Sequence, residues 1–143
     1  MFTSVLPVDA GGKLLLGRVG ALSIQEPGQL DLIGGTLNAD EMTLQTLHAL
    51  REFSIREFLE ETGVRLSSRD VRLWSVNHDG DCVFFVFKVE ADLETMGQDF
   101  VSNQELIELV ESDLGSGQAS SERLSKDVMF VKSYLHLLGF ERV

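Results

Sequence analysis

Residues Arg56 to Val64 read REFLEETGV. Three carboxylates, Glu57, Glu60 and Glu61, stand behind an arginine and ahead of a glycine. At spacings of i, i+3 and i+4 they share one helical face, within an arc of about 100°. Like charges so placed repel one another. The end of a helix is also a poor place for anions if it is the C-terminal end, where the macrodipole is negative, and Gly63 suits the residue just past such an end. The ordinary reading of this run is a solvated acidic face. The alternative is a site for a hard divalent cation, which takes oxygen ligands and removes the repulsion.

Upstream, no Gly or Pro interrupts Met42 to Thr62, and the spacing predicts one long helix over that stretch. Leu44, Leu47, Ile55, Phe58 and Leu59 fall on one side at about 100° per residue, with the three glutamates on the other. The first third of the chain reads as short strands. SVLPV and KLLLGRV flank the turn DAGG, a hairpin signal, and QLDLIGG reads as a strand ending in Gly34-Gly35. Downstream, VRLWSVNHDGDCVFFVFKVEA reads as two strands around Asp79-Gly80, the second apolar and aromatic enough to be central in a sheet. ETMGQDFVSNQ reads as a loop, ELIELV as a short strand and GSGQASS as a connector. SERLSKDVMFVKSYLHLL reads as a second helix capped by Ser120 or Ser121 and ended by Gly139. Strands, helix, strands, helix, with too few helices to cover every strand connection, favour an α+β chain over a doubly wound sheet.

The chain has 143 residues, 43% of them apolar, and a net charge of -11. That length suits a single domain, 1–143, with a sizeable core. The acidity argues against a nucleic-acid polymer as partner, which needs clustered Lys and Arg. A phosphate-bearing substrate would then need a cation to bring it in. No apolar run approaches a membrane span, and no signal peptide is expected from the N-terminus. The lone Cys82 fits a reducing cytoplasm.

REFLEETGV resembles the second half of the Nudix box, G-x5-E-x7-R-E-U-x-E-E-x-G-U with U a bulky aliphatic residue. Arg56, Glu57, Glu60, Glu61, Gly63 and Val64 match, and Phe58 stands at the first U. Gly35 and, six positions on, Glu41 match the first half, and LIGG looks like the turn that opens the box. The spacer departs: fourteen residues, Met42 to Ile55, stand where the family has seven. Seven more helical residues rotate the register by only about 20°, so a helix lengthened at its N-terminal end keeps its faces aligned. It would carry Glu41 about 10 Å along the axis. KLLLGRV, ending near Arg18, is similar to an early Nudix strand, and NQELIELVESDL looks like the late segment in which a loop carboxylate precedes a strand.

The resemblance implies an α/β/α sandwich around a mixed sheet. It implies a cytoplasmic, metal-dependent pyrophosphohydrolase that cleaves the diphosphate linkage of a nucleoside diphosphate derivative by water attack on phosphorus, with Mg²⁺ or Mn²⁺. Its implied metal ligands are Glu57, Glu60 and Glu61. Glu57 or Glu105 is the implied general base, with Glu108 the alternative loop acid. Arg56 orients the carboxylates through a bidentate contact, Gly34 and Gly35 admit close backbone approach, and Arg18 touches substrate phosphate. A homodimer is common in the family. The rival is a Nudix-fold module that binds a nucleotide or regulates without turnover. Outside the box, His48 reads as a core-edge residue, Cys82 as a small buried hydrophobe, and Trp74, Phe84, Phe85 and Phe87 as core. His78 borders a turn, and His136 and Tyr134 carry no signal.

Overall fold

The computed structural model describes residues 1–21, 27–38, 46–113, 123–129 and 131. Glu41, Met42, Leu44, Ser120, Ser121, Tyr134, His136 and Gly139, on which parts of the sequence reading rest, lie outside them.

β1 (Phe2–Val8) and β2 (Leu14–Val19) form the expected hairpin, antiparallel with Val8 opposite Leu14. Its turn is closed by Asp9, whose Oδ1 accepts from the backbone N–H of Gly11 and of Lys13, both at 2.9 Å. β3 (Leu30–Asp31) pairs with β2, and β4 (Ile33–Thr36) pairs with β1. β5 (Val71–Asp79) and β6 (Cys82–Glu90) make the second hairpin. β6 runs parallel to β1, so β6 is flanked by β1 and β5, in the order β3-β2-β1-β6-β5. β7 (Leu106–Ser112) pairs antiparallel with β2. The parallel β1–β6 pairing beside antiparallel ones makes the sheet mixed.

Alternation along the strands gives each face its own core. Phe87 and Val89 of β6 join Val5, Ile33 and Val71 under α1 (Leu47–Thr62), through Leu50, Phe53 and Phe58. Phe84 and Val86 join Leu6, Leu16, Leu32 and Trp74 on the opposite face, under Val128 and Val131. Helix, sheet and helical segment thus stack as the sandwich the sequence predicts.

Four readings are corrected. α1 does not run from Met42: Thr46 is extended and caps it, accepting from the Ala49 N–H at 3.0 Å, so the helix starts at Leu47. The extra spacer residues therefore do not all lengthen the helix. The buried side of α1 is Leu50, Phe53, Ser54, Phe58 and Thr62, whereas Leu47 is 44% exposed. Ser54 and Thr62 escape an apolar pattern because their hydroxyls are satisfied in place. Ser54 donates to Thr3 Oγ1 at 2.7 Å or to the Leu50 carbonyl at 2.9 Å, and Thr62 donates to the Phe58 carbonyl at 2.6 Å. The predicted loop at ETMGQDFVSNQ contains a helix, α2 (Leu93–Asp99), capped by the Asp92 side chain on the Thr95 N–H. At the far end, residues 123–125 lie beside β3 rather than in a helix. Leu30 N–H donates to the Arg123 carbonyl and Ser125 N–H to the Leu30 carbonyl. The helical turn 126–129 begins after Ser125, whose Oγ accepts from the Val128 N–H at 3.2 Å.

Candidate functional site

Glu57 and Glu61 lie within about 20° of Leu50 around the helix at about 100° per residue. They therefore project from the sheet-facing side of α1, not the opposite one. Both are half-buried, while Glu60 is exposed. Gly63 ends the helix at φ 77° and donates its N–H to the Leu59 carbonyl, a left-handed cap that suits glycine.

The glycine pair stands at two close approaches. A methyl group on Gly35 would come within 2.5 Å of Glu57 Oε2 and 2.9 Å of its Cδ. One on Gly34 would overlap the Thr3 carbonyl oxygen across the β1–β4 pairing. Arg56 lies 3.9 Å from Glu60 through Nε, and its guanidinium carbon sits 5.2 Å from the Phe53 ring centroid, a cation–π separation.

A cavity of about 390 Å³ opens beside this helix end, lined in part by β3 and β4 (Asp31 to Thr36), Glu61, Glu105, Phe84 and Asp127. Cys82 lines it as well and is exposed, which corrects its reading as a buried hydrophobe. His48, read as core-edge, is exposed, and so is His78. Trp74, Phe84 and Phe87 are buried as expected. Arg18 does not line the cavity; it pairs with Glu108 through Nε and donates from Nη1 to the Gly28 carbonyl at 3.1 Å.

Glu105 enters from the loop before β7 and meets Glu61 side chain to side chain. Burial, then the charges of Glu105, Glu57 and Glu60, push the Glu61 carboxyl up to about 7 from 4.5. The sequence reading missed the residue that brings Glu105 there. Asn103 donates from Nδ2 to the Glu61 carbonyl at 2.8 Å, while its Oδ1 accepts from the N–H groups of Glu105 and Leu106, each at 2.9 Å. The Gly20 N–H holds the Glu105 carbonyl at 2.7 Å. One asparagine side chain thus ties the loop to the helix end. The sequence signal was local: an Asn two residues before a chemistry-bearing acid, in position for an Asx-type turn.

Glu57, Glu60, Glu61 and Glu105 supply oxygen donors only, the set a hard divalent cation takes. Among the described residues, no three His, Cys, Asp or Glu side chains are already gathered closely enough to hold a metal. Glu61 and Glu105 meet directly, and Glu57 is turned onto Gly35. No described helix is long and apolar enough to cross a membrane.

No family model matches the chain, and no curated protein matches it either. Solved structures do. A MutT/Nudix family protein from Enterococcus faecalis superposes with a TM-score of 0.64 at 17% identity, over 93% of this chain and 60% of that one. The chain thus spans less than two thirds of that relative. A Nudix hydrolase from Nitrosomonas europaea gives 0.62 at 20% identity, over 94% and 68% of the two chains. The Nudix domain of Shewanella oneidensis NrtR, in complex with ADP-ribose, gives 0.56 at 13% identity, over 95% and 86%. At these identities the likeness is one of architecture, and with the mixed sheet and the α1 glutamates it establishes that this chain has the Nudix fold.

Proposed function

We propose that this protein is a Nudix-type hydrolase, a metal-dependent pyrophosphohydrolase that cleaves the diphosphate linkage of a nucleoside diphosphate derivative. The observation that carries the reading is the meeting of Glu61 with Glu105, crowded by Glu57 and Glu60, at the wall of a cavity large enough for a small ligand. Like charges held together destabilise a fold, and a divalent cation relieves that. ADP-ribose, held by the NrtR domain, belongs to the same substrate class.

Glu57, Glu60 and Glu61 would hold a divalent cation, Mg²⁺ or Mn²⁺, which when bound would neutralise phosphate oxygens and lower the pKa of a water. Glu105 takes the proton of the attacking water, because Asn103 fixes its backbone beside Glu61; Glu57, packed against Gly35, stays a ligand. Arg56 steadies Glu60. Gly34 and Gly35 let β4 lie close enough for substrate to reach the carboxylates. Phosphoryl transfer asks for alignment and charge stabilisation rather than covalent help, which this arrangement provides.

The test is hydrolysis of ADP-ribose, dinucleoside polyphosphates, nucleotide sugars, NADH and nucleoside triphosphates, with and without Mg²⁺ or Mn²⁺, in ¹⁸O-water. Metal-dependent turnover with ¹⁸O in a phosphate product, lost in Glu61→Gln, is the expected result. Ligand binding without turnover across the panel would favour the binding module instead.

A further inference from the structure

We propose that Gly17 and Gly20 are positioning residues for the reaction: their bare backbone seats the turn 103–106 on the end of β2 and so aims the Glu105 carboxylate at Glu61. This rests on the reading of Glu105 as the base and deepens it, by naming what holds that base from the side of the sheet.

Neither glycine serves through backbone freedom. The described glycines with positive φ are Gly12, Gly28, Gly63 and Gly80. Gly17 and Gly20 have backbone that an alanine also adopts, so what calls for glycine there is space. A methyl group on Gly20 would overlap the Gln104 carbonyl oxygen and stand 2.9 Å from the carbonyl carbon. The obstacle is backbone, which cannot swing aside as the tip of a side chain can. At this contact the Gly20 N–H donates to the Glu105 carbonyl at 2.7 Å. A methyl group on Gly17 would overlap the side chain of Leu106, the next residue along, which packs in the same core cluster as Leu15.

β7 departs from regular pairing to make the contact. Arg18 stands opposite Glu108, but Val19 stands opposite Leu106. Ile107 is therefore left over as a bulge, 48% exposed. The bulge resets the alternation. Leu106 and Leu109, three positions apart, pack into one core cluster, whereas an unbroken strand sets such residues on opposite faces. Leu106 thereby turns inward over Gly17, and the turn before it comes down on Gly20. That turn is tied at two places. Asn103 ties it to the Glu61 carbonyl of α1, and Gly20 ties it to β2. Glu105 itself has its N–H held by Asn103 Oδ1 and its carbonyl held by Gly20. With both of its peptide groups fixed, only the side-chain torsions of Glu105 are left to move.

The experiment is a double-mutant cycle on the full chain, with the best substrate of the anhydride panel and saturating metal. The variants are Gly20→Ala, Glu105→Gln and the two combined. Gly17→Ala is made beside them, and Gly97→Ala is the control, because a methyl group there meets nothing within 4 Å. Gly20→Ala should lower kcat about tenfold to a hundredfold with KM unchanged. In the Glu105→Gln background it should add less than about twofold, since a residue that acts through Glu105 has nothing left to position. Gly17→Ala should show the same dependence on Glu105, and Gly97→Ala should keep full activity. Folding is checked by circular dichroism. Amide hydrogen exchange reads the seat without turnover: in Gly20→Ala the N–H of residue 20 should exchange at least about tenfold faster, its acceptor having been pushed away. Full activity in folded Gly20→Ala, a loss of equal size with and without the Glu105 carboxylate, or unchanged exchange at residue 20 would overturn the proposal. Failure of both Gly20→Ala and Gly17→Ala to fold would overturn it too, making these glycines residues of the fold alone. A wild type that cleaves no anhydride, with the exchange at residue 20 as expected, would sink the hydrolase reading and leave the seating of Glu105 standing.

Discussion

Glu61→Gln should make the metal-free protein more stable at pH 8 and no more stable at pH 5. The Glu61 carboxyl is raised from 4.5 to about 7 by burial and by three neighbouring glutamates. A group whose folded pKa lies above its unfolded value binds its proton more tightly in the folded chain. Its contribution is fully present below pH 4.5 and is lost as pH rises through 7. The full shift corresponds to about 3 kcal/mol; because Glu61 is half-exposed, solvent screening reduces this to about 1–2 kcal/mol. Glutamine keeps the shape of the protonated acid without the charge. In EDTA, thermal unfolding followed by circular dichroism should show the variant melting about 3–8 °C above wild type at pH 8. At pH 5 the two should nearly coincide. Adding Mg²⁺ at pH 8 should raise the wild-type midpoint and leave the variant where it is, by mass action on the folded state. A variant that melts lower than wild type at pH 8, or by the same margin at both pH values, would refute the crowding argument.

Three further outcomes follow from geometry. Gly34→Ala and Gly35→Ala should separate stability from activity. The first drives a methyl group into the Thr3 carbonyl and should destabilise by about 3 kcal/mol or more in urea unfolding; the second meets only the movable end of Glu57 and should leave a folded protein with depressed kcat. Asn103→Ala removes the hydrogen bond tying the Glu105 loop to the Glu61 carbonyl of α1 and the two that order the loop itself. It should lower kcat about tenfold to a hundredfold with little change in KM, since a 1 Å misplacement is felt at that scale, and a raised KM with kcat unchanged would point to substrate binding instead. Ser54→Ala leaves Thr3 without its cross-layer partner and should cost about 1–2 kcal/mol in chemical denaturation, with kinetics unchanged.

The strands and their turns were legible because their signals are local. DAGG closes β1–β2 through the side chain of Asp9, and Asp79-Gly80 begins the turn between β5 and β6. The carboxylate run was legible because its spacing is a property of any helix. The face it occupies was not. Apolar counting put the glutamates opposite the core, but the buried side of α1 includes Ser54 and Thr62, buried through hydrogen bonds that hydropathy does not record. The start of α1 at Thr46 likewise depends on a cap formed by one side chain.

By itself the sequence indicated the strands, the main helix and the α+β class, and it singled out Glu57, Glu60 and Glu61 with Gly34 and Gly35. Those follow from residue periodicity and from backbone freedom, which act over a few positions. Only the tertiary structure decided that Glu105, not Glu108, meets Glu61, that Arg18 is taken up by Glu108, and that Asp31 and Asp127 share the cavity wall. Such pairings join residues as far apart as Arg18 and Glu108, which β2–β7 register sets side by side. Register is fixed by how both faces of the sheet bury their side chains, a condition on the whole chain rather than on any stretch of it.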